Sequence, residues 1–213
     1  MKNIFYILVF IAVTGCYEDD SQLIQSENTS HNTSEISTML KSVTANDTSF
    51  DNLVDNSSCI SIDFPYQVLI NEQAVTINNI SDLQQISPEE EIDIIYPINT
   101  VFFNYDSHQA DNRSDFNLIK DTCNDNLNLT FNTCIDIHYP ITIKEYNDIT
   151  ESFDTFRLNS NKELFLHIET LHDNDVFEIE FPIFISKLRN ETIKVESNED
   201  FQELFYSTLN TCG

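Results

Sequence analysis

The chain contains two glycines and no tryptophan among its 213 residues. Glycine-rich loops that cradle phosphate groups need several glycines close together, so this kind of nucleotide site is excluded. The lack of tryptophan removes the commonest aromatic platform for sugar rings. Basic residues are scarce as well, because 10 Lys and Arg stand against 36 Asp and Glu, for a formal net charge of −26. That charge argues against nucleic acid and anionic membrane surfaces as partners.

Motifs that would indicate catalysis or metal binding are also missing from the sequence. The five histidines include no pair at the i, i+4 spacing of a zinc-binding helix, and there is no Gly-x-Ser-x-Gly elbow. No two cysteines form a Cys-x-x-Cys knuckle. His167 and His172, followed by Asp173 and Asp175, could form a metal cluster, but a polar loop between helix and strand is the favoured interpretation. The sequence therefore predicts no catalytic residue, no metal ligand and no cofactor.

The first sixteen residues have the layout of a targeting segment. Lys2 is followed by an apolar run over residues 4–13, which is too short to span a bilayer as a mature helix. The run ends in Val13-Thr14-Gly15-Cys16, which resembles the bacterial lipobox. That resemblance implies a signal peptide over 1–15, lipidation of Cys16, and a mature chain that begins at this cysteine.

An acidic cluster, Tyr17-Glu18-Asp19-Asp20, follows the cysteine directly. It is similar to the surface-export signal of Bacteroidetes lipoproteins. The resemblance implies an outer-membrane location with the protein exposed at the cell surface, the periplasm-facing side being the alternative. Residues 16–56 are rich in Ser, Thr, Asn and Asp and predict a disordered tether. Ile36, Met39, Leu40 and Val43 are at helical spacing within it and could form one short amphipathic turn.

A six-residue pattern occurs four times after the tether. It reads apolar, Asp/Glu/Ser, Ile, any residue, Tyr/Phe, Pro, and its copies cover residues 60–65, 92–97, 135–140 and 177–182. Alternating apolar and polar residues predict a half-buried strand that, in the first copy, continues through the proline to residue 70. The proline falls on the polar face, where its missing amide is tolerated at an edge or a bulge.

If the copies are equivalent, corresponding residues share one environment. One core column is then predicted to contain Ile62, Ile94, Ile137 and Ile179. A second, rim column contains Phe64, Tyr96, Tyr139 and Phe181. The outward positions are Ser61, Asp93, Asp136 and Glu178. Three of these are carboxylates and could do acid–base chemistry, but their repetition favours a solvated sheet face.

Each copy is followed by a return strand and then by a helix-capping pattern. Asn or Ser, then Asp or Glu three residues later, then an apolar residue, indicates the start of a helix. The predicted caps are Asn79, Asn112, Ser160 and Ser197. The first apolar residues after the capping acids are Leu83, Phe116, Leu164 and Phe201, which should meet the isoleucine column. The predicted unit is therefore strand, turn, strand, capped helix.

The cysteines group these units into two pairs. Cys59 precedes the first strand and Cys123 ends the second helix, while Cys134 and Cys212 bracket the third and fourth units. In an extracytoplasmic setting this favours Cys59–Cys123 and Cys134–Cys212, although four cysteines permit three connectivities and free buried thiols are the alternative. The fold class predicted is α+β, with two tandem, mostly antiparallel, disulfide-stapled modules at about 57–124 and 133–213.

The lipobox, the Cys-led Tyr/Phe-Pro strands and the Ser-Asn-x-Glu/Asp helix starts together resemble the repeat-containing surface lipoproteins of Flavobacteriia and their relatives. The likeness covers residues 1–16 and about 59–212, and it implies location and fold without an activity. The expected function is a non-enzymatic binding or structural module, held to the membrane by its lipid and acting on an envelope or extracellular partner. The alternatives are a hydrolase with an unconventional acidic site and a calcium-stabilised module, in which Asp121, Asp125, Asn126 and Asn128 would supply oxygens.

Replacing Cys16 with Ser tests the lipid anchor. Acyl chains contribute about 0.8 kcal/mol for each buried methylene, so the lipidated protein should partition into detergent and the Cys16→Ser protein into the aqueous phase. Tyr17→Phe, which keeps the cysteine, is the matched control and should stay with the detergent. A Cys16→Ser protein that remains in the detergent phase would contradict lipidation.

Overall fold

The computed structural model describes residues 28–31, 34–187 and 191–209. Cys16, the predicted signal peptide, the acidic cluster and Cys212 lie outside these residues. Six helices and thirteen strands are present in the described part of the chain, in a mixed α/β arrangement. The strands form four small antiparallel sheets, which confirms the mixed and mostly antiparallel character predicted from the sequence.

Four consecutive segments share one order of elements, namely three strands and a helix. The first segment contains β2 (Ile60–Ile62), β3 (Tyr66–Ile70), β4 (Gln73–Ile77) and α3 (Ile80–Leu83). The second contains β5 (Ile92–Ile95), β6 (Ile98–Phe102), β7 (Ser107–Ala110) and α4 (Arg113–Asn126). The third contains β8 (Ile135–Ile137), β9 (Ile141–Asn147), β10 (Ser152–Leu158) and α5 (Asn161–Thr170). The fourth contains β11 (Val176–Ile179), β12 (Ile183–Lys187), β13 (Glu191–Val195) and α6 (Asn198–Leu209).

The prediction of one continuous strand from Ile60 through Pro65 to Ile70 is wrong, because β2 ends at Ile62 and β3 begins at Tyr66. The chain leaves its strand at every Tyr/Phe-Pro step, and the peptide bonds before Pro65, Pro97, Pro140 and Pro182 are all cis. The strand before the proline and the strand after it then enter different sheets. A proline cannot donate to a ladder, so a sheet cannot continue unchanged across it.

Strands are exchanged reciprocally between neighbouring segments. In the first pair of segments, β2 pairs with β6 and β5 pairs with β3. In the second pair, β8 pairs with β12 and β11 pairs with β9. The register is the same each time: Ile62 faces Thr100, Ile94 faces Val68, Ile137 faces Ile185 and Ile179 faces Ile143. Each strand that precedes a proline therefore completes the sheet of the other segment.

Two hydrophobic clusters hold these sheets together. The first core gathers buried residues from Cys59 to Cys123. The second core gathers buried residues from Ile36 to Val43 and from Ile135 to Phe205. Three of the four column isoleucines are buried as predicted, while Ile94 is half-buried. The aromatic rim residues are all half-buried and pack against the cores.

The helices meet the cores through the predicted residues, since Leu83, Phe116, Leu164 and Phe201 are all buried. The prediction that the outward column is exposed is wrong at Ser61, which is only 5% exposed. Its strand, β2, is covered on both faces, which a single polar residue does not reveal.

Side-chain caps begin the helices where the sequence predicts them. Asn79, Asn112 and Ser160 each accept a backbone amide of the first turn, and Ser197 Oγ accepts from Asp200 N at 3.1 Å. In an ordinary capping box the acidic side chain accepts from the backbone amide of the cap residue. In three of these caps it accepts instead from the amide of the residue before the cap. The acceptors Asp82, Glu163 and Asp200 bind the amides of Asn78, Asn159 and Glu196, at 2.7, 2.8 and 2.9 Å.

The disordered tether predicted for residues 16–56 is wrong over the part that the structure describes, residues 28–31 and 34–56. Helix α1 (Glu35–Thr44) is capped by Ser34, and the side chains of Ile36, Met39, Leu40 and Val43 are buried in the second core. Strand β1 (Thr29–His31) pairs with β11 at a sheet edge, and α2 (Asn52–Asp55) lies between α1 and β2. The second core therefore contains residues from both sides of the first core in the sequence.

The disulfide predicted between Cys59 and Cys123 is confirmed, with the two Cα atoms 6.0 Å apart. It joins the start of β2 to the last turns of α4 inside the first core. Cys134 is also disulfide-bonded. Because Cys212 lies outside the described residues, the pairing Cys134–Cys212 stays a prediction, as do the module bounds 57–124 and 133–213.

The isoleucine column can be tested at Ile62, which is 1% exposed. Ile62→Ala should lower the free energy of unfolding by about 2–5 kcal/mol, because it removes buried carbons and leaves a cavity. The neighbouring Asp63 is exposed, and Asp63→Ala should change the free energy by about 0.5 kcal/mol or less. Urea denaturation of both variants measures the difference, and equal effects would contradict the strand register.

Candidate functional site

A cleft of about 420 Å³ lies between the two cores. Its volume is within the range of about 300–1,000 Å³ that is usual for small-molecule sites. The first wall is the loop that follows α1, with Asn46 and Asp47, together with Tyr105 from the β6–β7 turn. The opposite wall includes Asp136 on β8 and Asn161 at the start of α5. Both halves of the molecule therefore contribute to one concave surface.

The lining combines hydrogen-bonding groups with two aromatic rings. Phe131 packs at 5.9 Å from Phe103, so one side of its ring is supported by the first core. Asn161 Oδ1 accepts from Tyr139 OH at 2.7 Å. Among the described lining residues, the acidic and basic side chains are Asp47 and Asp136, both exposed. The cleft therefore favours a neutral or cationic ligand over an anion.

Tyr105 joins the two halves at the edge of this cleft. It stands at φ 68° in the β6–β7 turn, where a left-handed backbone turns the ring towards α5. Its hydroxyl donates to Thr44 O at 2.7 Å, and its ring meets Phe165 edge-on at 5.7 Å. Lys162 Nζ lies 5.7 Å from the ring centroid, and burial raises the pKa of Tyr105 to about 12. The tyrosine thus fixes one wall of the cleft against the second core.

Directly beyond the cleft loop, two aspartates are buried in the first core. Asp51 is 0% exposed and Asp55 is 2% exposed, one turn apart on α2 and its N-cap. Asp51 Oδ2 accepts from Ile62 N at 2.7 Å, and Asp55 Oδ1 accepts from Ser57 N at 2.9 Å. Burial raises the pKa of Asp51 to about 7 and that of Asp55 to about 8. Asp51 therefore ties the start of α2 to β2, while Asp55 holds the loop that follows α2.

Sequence reasoning missed this pair, since both aspartates lie in a stretch rich in Asp, Asn and Ser. The available signal was weak: Asp51 and Asp55 are four residues apart, beside Phe50 and Val54, which pack against the first core. Leu53, which is also apolar, is 38% exposed.

The strand acids do not converge on one site. Asp93 forms an ion pair with Arg113 of α4, and Glu178 Oε1 accepts from Thr29 Oγ1 at 2.8 Å. Asp136 lies apart from both, in the cleft. The three residues belong to three different sheets.

His167 lies close to an acidic residue that the sequence does not reveal. Glu145 Oε2 is 3.8 Å from His167 Nε2. His172 Nδ1 lies 3.1 Å from Asp175 Oδ2. Burial lowers the pKa of His167 and raises that of Glu145, which favours the neutral form of each. Across the described ranges, no group of three or more His, Cys, Asp and Glu side chains is placed to hold a metal ion.

Comparison with known proteins gives no relative: no family model matches the chain, and searches of curated proteins and of solved structures found no significant match. Of the helices in the described residues, none has the length and apolar character needed to cross a membrane.

Tyr105 offers a test of how the two halves are joined. Tyr105→Phe removes the hydrogen bond to Thr44 O and should cost about 1 kcal/mol of stability. Tyr105→Ala also removes the buried ring surface and should cost about 2 kcal/mol more. Thermal or urea denaturation measures both. If neither substitution changes the stability, the ring does not hold the cleft walls together.

Proposed function

We propose that this protein is a lipid-anchored extracytoplasmic module that binds a ligand in the cleft between its two cores and carries out no catalysis. Cys16 would hold the protein at the outer membrane, on the cell surface. The two pairs of segments would act as tandem modules of about 57–124 and 133–213, with α1 and β1 added to the second. The single observation that carries the binding function is the cleft, because residues from both halves line it.

The placement of the strand acids supports binding over hydrolysis. Acid–base catalysis needs two carboxyl groups near one reacting bond, whereas Asp93, Asp136 and Glu178 lie in separate sheets. The buried pair Asp51 and Asp55 has raised pKa values, which often mark catalytic acids. At 0% and 2% exposure, however, the pair gives a substrate no access.

Charge indicates the class of ligand. Asp47 and Asp136 present carboxylates to the cleft, and the whole chain has a formal net charge of −26. A field of this sign concentrates cations near the surface and repels anions. The ring of Phe131 in the lining adds a surface on which a cation is also stabilised. The proposed ligand therefore carries an amine or guanidinium group, as a polyamine or as the basic side chain of a peptide.

A binding panel on the full-length protein in detergent tests the proposal. Spermidine and a lysine-rich peptide represent the two sources of the cationic group, while a neutral oligosaccharide and a sulfated one represent the excluded chemistry. Calorimetric titration should show binding of at least one cationic probe, weakened by salt. The double variant Asp47→Asn, Asp136→Asn should reduce the affinity about tenfold, the loss of roughly 1.4 kcal/mol.

Asp63→Asn is the matched control, because it removes an equally exposed carboxylate outside the cleft. The Asp63→Asn protein should bind the cationic probe with the same affinity as the unaltered protein. Equal losses in the control and the double variant would mean that general attraction, not the cleft, accounts for the binding. Preference for the sulfated probe would contradict the proposed ligand class.

A further inference from the structure

The cleft borders the outer edge of strand β8. This strand is the last one of the sheet β13-β12-β8, so among the described strands β12 is its one partner. Ile135 on β8 lines the cleft, although its side chain is buried in the second core. Because that side chain packs inward, the cleft meets the main chain of β8 at this residue. The next residue, Asp136, is exposed and adds its carboxylate to the lining.

The hydrogen bonds between β8 and β12 show which main-chain groups point outward. In an antiparallel pair, alternate residues direct both their amide and their carbonyl at the partner strand. His138 N donates to Phe184 O at 2.9 Å, and Asp136 follows the same alternation two residues earlier. Both therefore face β12. Ile135 and Ile137 direct their amides and carbonyls away from β12, on the side that borders the cleft.

The equivalent edge in the first pair of segments is closed by the chain itself. Strand β2 corresponds to β8 and also lies at the edge of its sheet. There the amide of Ile62, which corresponds to Ile137, donates to Asp51 Oδ2 at 2.7 Å. Between the described residues, no backbone hydrogen bond outside the ladder reaches the amide of Ile135 or Ile137. A carboxylate of the chain thus caps β2, while β8 keeps an edge that a ligand can pair with.

A peptide in an extended conformation fits this edge and the charge beside it. An added strand brings main-chain donors and acceptors to the outward groups of β8, and its side chains stand opposite those of β8. A basic side chain opposite Asp136 forms an ion pair, and Asp47 is the second acid of the same cleft. We propose that the ligand of the cleft is a basic peptide that adds to β8 as an antiparallel edge strand. This inference rests on the cleft's proposed binding of a cationic ligand.

The two faces of β8 specify the sequence of such a peptide. Ile135 and Ile137 lie on the face that belongs to the second core, whereas Asp136 lies on the other face. Side chains of an added strand alternate in the same way. A basic residue opposite Asp136 is therefore flanked by apolar residues opposite the two isoleucines. A polyamine has the charge but neither the main-chain amides nor this alternation.

Backbone methylation of the peptide gives the test. The full-length protein in detergent is titrated with acetylated Lys-Val-Lys-Val-Lys amide and with two derivatives that carry two N-methyl groups each. The valine amides, opposite Ile135 and Ile137, face β8, so methylating both should weaken binding about tenfold. The lysine amides face away, and methylating the second and third of them should leave the affinity within about twofold. Equal losses, or a larger loss for the lysine derivative, would overturn the antiparallel strand.

Amide hydrogen exchange locates the added strand on the protein. Saturating peptide should raise the protection of the Ile135 amide about tenfold, whereas spermidine should leave it unchanged. The amide of Ile62, already bonded to Asp51, is the matched control and should not respond to either probe. Peptide binding without new protection at Ile135 would overturn strand addition. So would binding of spermidine alone, although the cationic site of the cleft would then stand, and binding of neither probe would overturn both proposals.

Discussion

Reciprocal strand pairing is the constraint on which both cores depend. Each short strand before a Tyr/Phe-Pro step belongs to the sheet of the neighbouring segment, so β2 completes the sheet of β6 and β5 completes that of β3. A single segment would leave the edge strand of its hairpin unpaired and one face of its isoleucine uncovered. Two segments satisfy each other, and the third and fourth do the same through β8, β9, β11 and β12. The disulfide between Cys59 and Cys123 then links the start of β2 to α4, which are the first strand and the last helix of the first pair of segments.

What the sequence could predict was local. The alternation around Ile62, Ile137 and Ile179 identified the buried face. Side chains alternate between the two faces of a strand, so the apolar set must be the one that is buried. The helix starts could be predicted in the same way, since a cap depends on residues within one turn. The four caps are Asn79, Asn112, Ser160 and Ser197. The pairing Cys59–Cys123 followed from the position of the two cysteines around two units. Each of these predictions needed only neighbouring residues or their order along the chain.

What the sequence could not predict was non-local. The alternation runs unbroken through Pro65, so nothing in it reveals that β2 and β3 enter different sheets. The spacing of Ile36, Met39, Leu40 and Val43 indicated an apolar helix face, but its partner lies more than ninety residues further along, in the second core. The cleft has no local signature either, because Asp47, Tyr105, Asp136 and Asn161 are brought together only by the way the two cores meet. Asp51 and Asp55 resemble surface acids until α2 packs them against β2.

The position of β1 determines which contacts would bear a mechanical force applied from the N-terminal side. Both ends of the described chain, β1 and α6, belong to the half that contains the second core, while the first core is enclosed between α1 and β8. Within the described residues, a pull from the N-terminal side therefore acts first on the hydrogen bond between Asn28 and Asn198 and on the three residue pairs of β1 with β11. Helix α1, buried against α5 and α6, resists next. The first core and its disulfide carry no tension until those contacts have parted, so the half with the second core protects the half with the first core from a force applied at the N-terminal side.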